Sequence, residues 1–129
     1  MIQRDVFLKE FRGETIGSVG TQSSSEEMFQ NEVLRPILKL QNDLFIASFK
    51  NYSAKYNSDF NSQTTEEKLA IIENAIQKDS KYRNALRGIV IGLFTIEEYS
   101  FYVQNSSNLN KRMMTMLIER LKSQVQLFE

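Results

Sequence analysis

The sequence predicts an all-α fold, a single-domain bundle of about five helices behind a flexible N-terminal segment. Three observations carry this, the first two being that apolar residues recur at three- and four-residue spacing through most of the chain and that three Ser/Thr-x-x-Glu signatures stand just ahead of such periodic runs. The third is an absence, since no stretch alternates apolar and polar residues between hairpin turn signals and no internal repeat is visible. With 129 residues and 41% apolar composition, the chain is long enough for one core.

Residues 1–24 are read as a short helix followed by a flexible segment, and 25–129 as the bundle. Residues 2–11 suit a short helix with Val6, Phe7 and Phe11 as its apolar contacts. Gly13, Gly17 and Gly20, with Ser23, Ser24 and Ser25, then form a stretch that reads as a mobile linker.

Ser24 and Glu27 form the first capping box, opening a helix expected to reach about Tyr56. Pro36 lacks an amide hydrogen and crowds the carbonyl of Glu32, so a kink or break is expected near Arg35. Beyond it, Ile37, Leu40, Leu44, Phe45, Ser48 and Tyr52 share one face, the predicted core face.

Thr64 and Glu67 form the second box, and the helix it opens carries a stripe of Leu69, Ile72 and Ile76 flanked by Ile71 and Ala75. Asp79 can cap the next helix and pair with Arg83 one turn on. There Tyr82, Ala85, Leu86, Ile89, Val90 and Leu93 share an arc, which makes this helix the expected centre of the bundle. Thr95 and Glu98 form the third box, with Tyr99, Tyr102 and Val103 facing inward. Ser107 is placed to cap the last helix, on which Met113, Met114, Leu117, Ile118, Leu121, Val125 and Phe128 cover about 140° of arc.

Gly88 and Gly92 lie one turn apart on one flank. Each costs about 1 kcal/mol against alanine inside a helix, so the pair points to close approach of a neighbouring backbone. Gly92 as a C-cap, or contact with a ligand, are the alternatives. Ile91 points away from the apolar arc, either because this helix is surrounded on several sides or because Ile91 meets a second subunit. Met113 and Met114 fall in the core arc, whereas Met116 sits near its edge and suits a subunit contact.

Composition excludes much chemistry. Without histidine or cysteine the chain can build no His-dependent triad, no thiol nucleophile and no Cys/His zinc site, and no cofactor or metal is expected. Sixteen basic and sixteen acidic residues cancel, so nucleic acid is not an expected partner. Lys78, Lys81, Arg83 and Arg87, and separately Lys111, Arg112, Arg120 and Lys122, make each of two segments locally plus three. Solvated helix faces account for both unless the fold aligns them against a phosphate. The Glu pairs at 26/27, 66/67 and 97/98 sit in first helical turns, where capping and the helix dipole explain them without catalysis. Charges at Arg4, Asp5, Lys9 and Glu10 interrupt any signal-peptide core, and no run reaches the roughly 20 apolar residues of a membrane helix, so a cytoplasmic domain is expected.

The run Asn31-Glu32-Val33-Leu34-Arg35-Pro36-Ile37-Leu38-Lys39-Leu40-Gln41-Asn42-Asp43-Leu44, with Phe94-Thr95-Ile96-Glu97-Glu98-Tyr99 and Leu109-Asn110-Lys111-Arg112-Met113, resembles a family of small uncharacterised bacterial proteins. The resemblance covers most of residues 25–129 and implies an all-helical domain; members of that family often carry the label "glyoxalase". Glyoxalase I enzymes use βαβββ modules and a metal held by His and Glu, and hydrolytic glyoxalases use a His-rich metal site. This sequence offers neither strands nor a histidine, so that activity is not expected and no catalytic residue is assigned.

The expected function is therefore that of a noncatalytic helical interaction protein, with homodimerisation through Gly88, Ile91, Gly92 and Met116 as one arrangement. The alternative is a small-molecule site lined by Tyr52, Tyr82, Tyr99 or Tyr102, with Arg83 or Arg87 pairing an anion. An enzyme using only Lys, Tyr, Arg and carboxylates is a third reading, but no spacing selects a nucleophile and its base.

Overall fold

A computed structural model describes residues 3–12, 24–56 and 59–128. Among them there is no strand, and no helix is long and apolar enough to cross a membrane. The helices are α1 (Arg4–Arg12), α2 (Ser25–Phe29), α3 (Arg35–Leu40), α4 (Asn42–Tyr56), α5 (Thr65–Lys78), α6 (Ser80–Ile91), α7 (Ile96–Gln104) and α8 (Ser106–Ser123). A π-helical turn, Gln30–Leu34, fuses α2 and α3 into one rod, leaving seven rods in place of about five. Of the linker expected over 12–25, residues 13–23 lie outside the described residues, while Arg12 ends α1, Ser24 caps α2 and Ser25 begins it.

Pro36 shapes that rod without breaking it. The amide of Arg35 reaches back five residues to the carbonyl of Gln30, a wider turn directly ahead of a proline whose ring would crowd the Glu32 carbonyl in a regular α-helix. The break falls instead at Gln41, where φ −90° and ψ 7° leave the helical region. It re-phases α4, so the expected core face does not run through: Ile37 and Phe45 are buried, but Leu40 and Leu44 are exposed and Ile46 and Phe49 are buried in their stead.

Caps set the helix starts. Thr64 with Glu67 and Thr95 with Glu98 form complete capping boxes, each satisfying amides that would otherwise lack partners. Ser24 accepts from the Glu27 amide. Asp79 caps α6 by accepting from the Tyr82 amide at 3.1 Å. The expected Asp79–Arg83 pair does not form, because Arg83 turns to the Ile76 and Gln77 carbonyls at the end of α5, at 3.2 and 2.7 Å. Ser107 is not the cap of α8, which begins at Ser106 behind Asn105.

The central helix is α8, which packs against α5, α6, α7 and the π turn, whereas α6 packs against α5 and α8. Its Leu109, Met113, Leu117 and Leu121 are fully buried, together with Leu34, Ile37, Leu38, Ile72, Ile76, Leu86 and Val90 of its neighbours. Two aromatic groups extend this core: Phe49 packs on Phe60 and Phe128 at 5.4 and 4.9 Å, and Phe29 packs on Phe94 and Phe101 at 5.4 and 5.2 Å. On α7 only Tyr102 of the three expected inward residues is buried; Tyr99 and Val103 are exposed.

The N-terminal helix docks on the bundle through polar contacts. Arg12 makes two hydrogen bonds to the Glu98 carboxylate, at 2.6 and 2.8 Å, and a third to the Leu93 carbonyl at 3.0 Å. Asp5 accepts from the Ile96 amide, and Arg4 donates to the Gly92 carbonyl. Leu8 is the buried apolar anchor of α1, while the expected contacts Val6, Phe7 and Phe11 are exposed.

Candidate functional site

The residues singled out from sequence fall in separate places. Tyr52 and Tyr82 stack with ring centroids 4.3 Å apart, Tyr52 donating to Asp79 and Tyr82 accepting from Ser48. Burial, followed by the Asp79 hydrogen bond, pushes the Tyr52 phenol up to about 12; burial pushes Tyr82 up to about 12 as well, against the Ser48 hydroxyl. Through this stack and its hydrogen bonds the two tyrosines join α4 to α6. Tyr99 and Tyr102 sit on α7, Tyr102 donating to Asn110 of α8 at 2.7 Å. Of the residues of the expected pocket, Tyr52 borders one cleft, with Asp79, while Arg83 and Arg87 border another, with the Tyr102 partner Asn110.

The glycine flank is also not what the spacing suggested. A Cβ on Gly88 would meet nothing within 4 Å, so no backbone approaches it. Gly92 is the C-cap of α6, with φ −58° and ψ −17°, and its carbonyl accepts from Arg4. Ile91 packs half-buried against the core of its own chain.

What the fold does assemble is a set of guanidiniums beside α8. A cleft of about 720 Å³ runs between the π turn with α3 and the flank of α8, bordered by Arg35, Lys111, Arg112 and Arg120, with Leu38 and Met116 as its apolar lining. Among the described residues Glu119 is the one carboxylate of the lining. The arginines are positioned mainly by neutral amides: Arg35 Nε donates to Asn31 at 2.9 Å, Arg112 Nη1 to Gln30 at 2.7 Å, and Arg120 Nη1 to Asn42 at 3.4 Å. Asn42 is itself clasped by Gln124 through two 2.8 Å bonds. An amide oxygen orients a guanidinium without cancelling its charge.

Ion pairing leaves this charge largely in place. Among the described residues the pairs are Arg4–Asp5, Arg12–Glu98, Arg112–Glu26 and Lys122–Glu73, and the Arg112–Glu26 separation is 3.9 Å. Arg35 and Arg120 are in none of them. Burial, and then the nearby charge of Arg35, hold the Arg120 pKa below the ordinary arginine value, as expected for like charges that no carboxylate separates.

A second cleft, of about 340 Å³, lies on the other flank of α8 and includes Arg83, Arg87, Asn110, Lys111 and Met114. The fold has thus brought one member of the second basic segment, Lys111, together with two of the first. Arg83 is spent on capping α5, and Arg87 Nε is buried with no hydrogen-bond partner among the described residues. Arg35 went unnoticed in the sequence because an arginine beside a proline, with Asn31 one turn back, looks like any solvated helix position. Only the fold, which sets Arg35 and Arg120 on the borders of one cleft, brings the two like charges together. Among the described residues no group of three or more acidic, His or Cys side chains could hold a metal ion. No family model, no curated protein and no solved structure matches the chain.

Proposed function

We propose that the chain is a noncatalytic helical domain that binds an oxyanion-bearing small molecule in the cleft between α3 and α8. The observation that carries this reading is the pair of guanidiniums, Arg35 and Arg120, held by amide oxygens and in no ion pair among the described residues, with Arg112 beside them. Such a cleft holds donors in place and keeps like charges together at a cost that a bound phosphate or carboxylate would relieve. Its volume of about 720 Å³ lies within the range of small-molecule sites. A guanidinium offers hydrogen-bond donors in a fixed fork and no acceptor, and the described lining has a single carboxylate, which favours binding over acid–base catalysis. No aromatic side chain lines the cleft to stack a base, which disfavours single-stranded nucleic acid.

The test is thermal denaturation with inorganic phosphate and a panel of small phosphates and carboxylates, against chloride at matched ionic strength. Binding to the folded state raises the midpoint by mass action. The rise is expected in the native chain and absent in Arg35→Gln/Arg120→Gln. If no anion gives a rise that depends on these two arginines, the reading is wrong.

Self-association is the second reading. Val6, Phe7 and Phe11 on α1 and Ile96, Tyr99 and Val103 on α7 leave more apolar surface exposed than the Gly88/Ile91/Gly92 flank. Sedimentation velocity at high micromolar concentration decides it, and a monomer there removes it.

A further inference from the structure

The rod from α2 to α3 runs parallel to α8 in a fixed register. Asn108 donates to Glu26, Arg112 to Gln30 and Asn42 to Gln124, each pair 82 positions apart. The last two contacts clasp the helices at either end of the α3/α8 cleft, which makes the cleft a trough with a defined direction. Arg112 and Arg120 both border it, eight positions apart on α8, a rise of about 12 Å. Lys111 stands with Arg112 at one end. Arg35 is level with Leu117 in the same register and so belongs with Arg120 towards the other. Arg112 is open to a ligand: its side chain is 32% exposed, its Nη2 makes no hydrogen bond among the described residues, and Glu26 stands off at 3.9 Å. Between Arg112 and Arg120 the described α8 wall offers Thr115, Met116 and Glu119, and no cation. A carboxylate there repels a continuous string of negative charge, so this stretch suits an uncharged one.

We infer that the ligand of this cleft is an elongated, two-headed molecule: one oxyanion held by Arg35 and Arg120, a second held by Arg112 with Lys111 beside it, and an uncharged chain between them. The inference rests on the preceding reading and adds the ligand's class, since a single oxyanion needs only the Arg35/Arg120 end. Guanidiniums take an oxyanion through paired donors, and a chain that joins two such groups makes the second capture intramolecular. The gain is largest when the chain matches the span. The α,ω-dicarboxylates and α,ω-bisphosphates of simple alkanes share this chemistry. A linear oligophosphate, charged along its whole length, does not.

Calorimetric titration of the native chain with alkane dicarboxylates and bisphosphates of increasing length, each against its single-headed counterpart of equal length, tests it. In one series the two-headed ligand is expected to bind about tenfold more tightly, the worth of one charge-assisted contact. That preference should peak where the heads lie about 12 Å apart, and the series that shows it identifies the oxyanion. Arg112→Gln should abolish the preference and leave single-headed binding within about twofold of native. Lys81→Gln removes a charge outside the cleft and should keep the preference. Should Arg112→Gln fold poorly, the comparison in the native chain decides alone. Equal affinities at every length, a preference with no optimum, or one that survives Arg112→Gln overturns the second contact and leaves the first standing. Loss of single-headed binding in Arg112→Gln overturns it as well, because Arg112 then shapes the cleft instead of taking a second group. A linear oligophosphate that binds more tightly than the best two-headed ligand overturns the uncharged middle. If no single-headed ligand binds through Arg35 and Arg120, both readings fall.

Discussion

Glu98 carries two duties on one carboxylate: it closes the capping box of α7 through the Thr95 amide at 2.8 Å, and it receives both Nη groups of Arg12. The two side chains are only 6% and 12% exposed, so the pair is worth far more to keep than a surface salt bridge, because removing one partner strands a buried charge. Burial works to raise the Glu98 pKa, but the Arg12 and Thr95 hydrogen bonds and the Arg12 charge outweigh it, and the value is lowered from 4.5. A carboxylate with a depressed folded-state pKa stabilises fully above its unfolded value and loses that contribution as pH falls through the folded one. Glu98→Gln is therefore expected to cost about 3 kcal/mol near pH 7. Denaturant midpoints should show the gap between the variant and the native chain shrinking below about pH 4.5, and parallel curves there would refute the assignment. Arg35 and Arg120 predict the opposite sign. They repel one another across the cleft, so Arg35→Gln/Arg120→Gln should leave the midpoint in chloride unchanged or raise it while abolishing the response to phosphate. A variant made both less stable and unresponsive would indicate structural arginines instead.

Among the elements, the rod from α2 to α3 holds a coupling that its sequence half discloses. A π turn is an α-helix with one residue too many, and here the surplus residue falls directly ahead of Pro36. Deleting the exposed Glu32 should restore ordinary helical bonding and return a carbonyl to the proline ring, costing about 3 kcal/mol or more. Adding Pro36→Ala should recover most of that loss, and chemical denaturation of the single and double variants measures the coupling. If the deletion costs the same with or without the proline, the turn has another cause. Helix α6 offers a simpler test. Gly88 is exposed, interior to the helix and free of any atom within 4 Å of its missing Cβ, so Gly88→Ala should stabilise by roughly 0.5–1 kcal/mol. Destabilisation there would revive the close-packing interpretation. Gly92 differs, since a Cβ would stand 3.2 Å from the Gly88 carbonyl and the backbone would have to give.

For the whole molecule, what could be read beforehand was local. The Thr64 and Thr95 boxes, the apolar face of α8 and the burial of Leu86 and Val90 follow from neighbours within one or two turns, and the structure holds them as expected. The break at Gln41, the exposure of Leu40 and Leu44 and the centrality of α8 depend on how rods pack, which one helix's periodicity does not record. The same holds for the cleft, where Arg35 and Arg120 lie far apart in sequence and were brought together by tertiary packing alone. Docking of α1 is the most non-local feature, resting on Arg12 meeting Glu98, and its consequence can be drawn out. No residue of α1 belongs to the contiguous apolar core, and none lines either basic cleft. Removing residues 1–23 takes away the burial of Leu8 and the Arg12–Glu98 pair, less the ordering entropy regained, a net loss of roughly 3 kcal/mol or on the order of 10 °C in Tm. The remaining chain should keep a single cooperative unfolding transition, most of its far-ultraviolet helical signal and its affinity for phosphate. In that shortened chain Glu98→Gln should cost no more than about 1 kcal/mol, because Glu98 then has only its cap to lose. Loss of the cooperative transition would place α1 within the core, and an undiminished cost for Glu98→Gln would mean that Arg12 is not the partner that makes Glu98 matter.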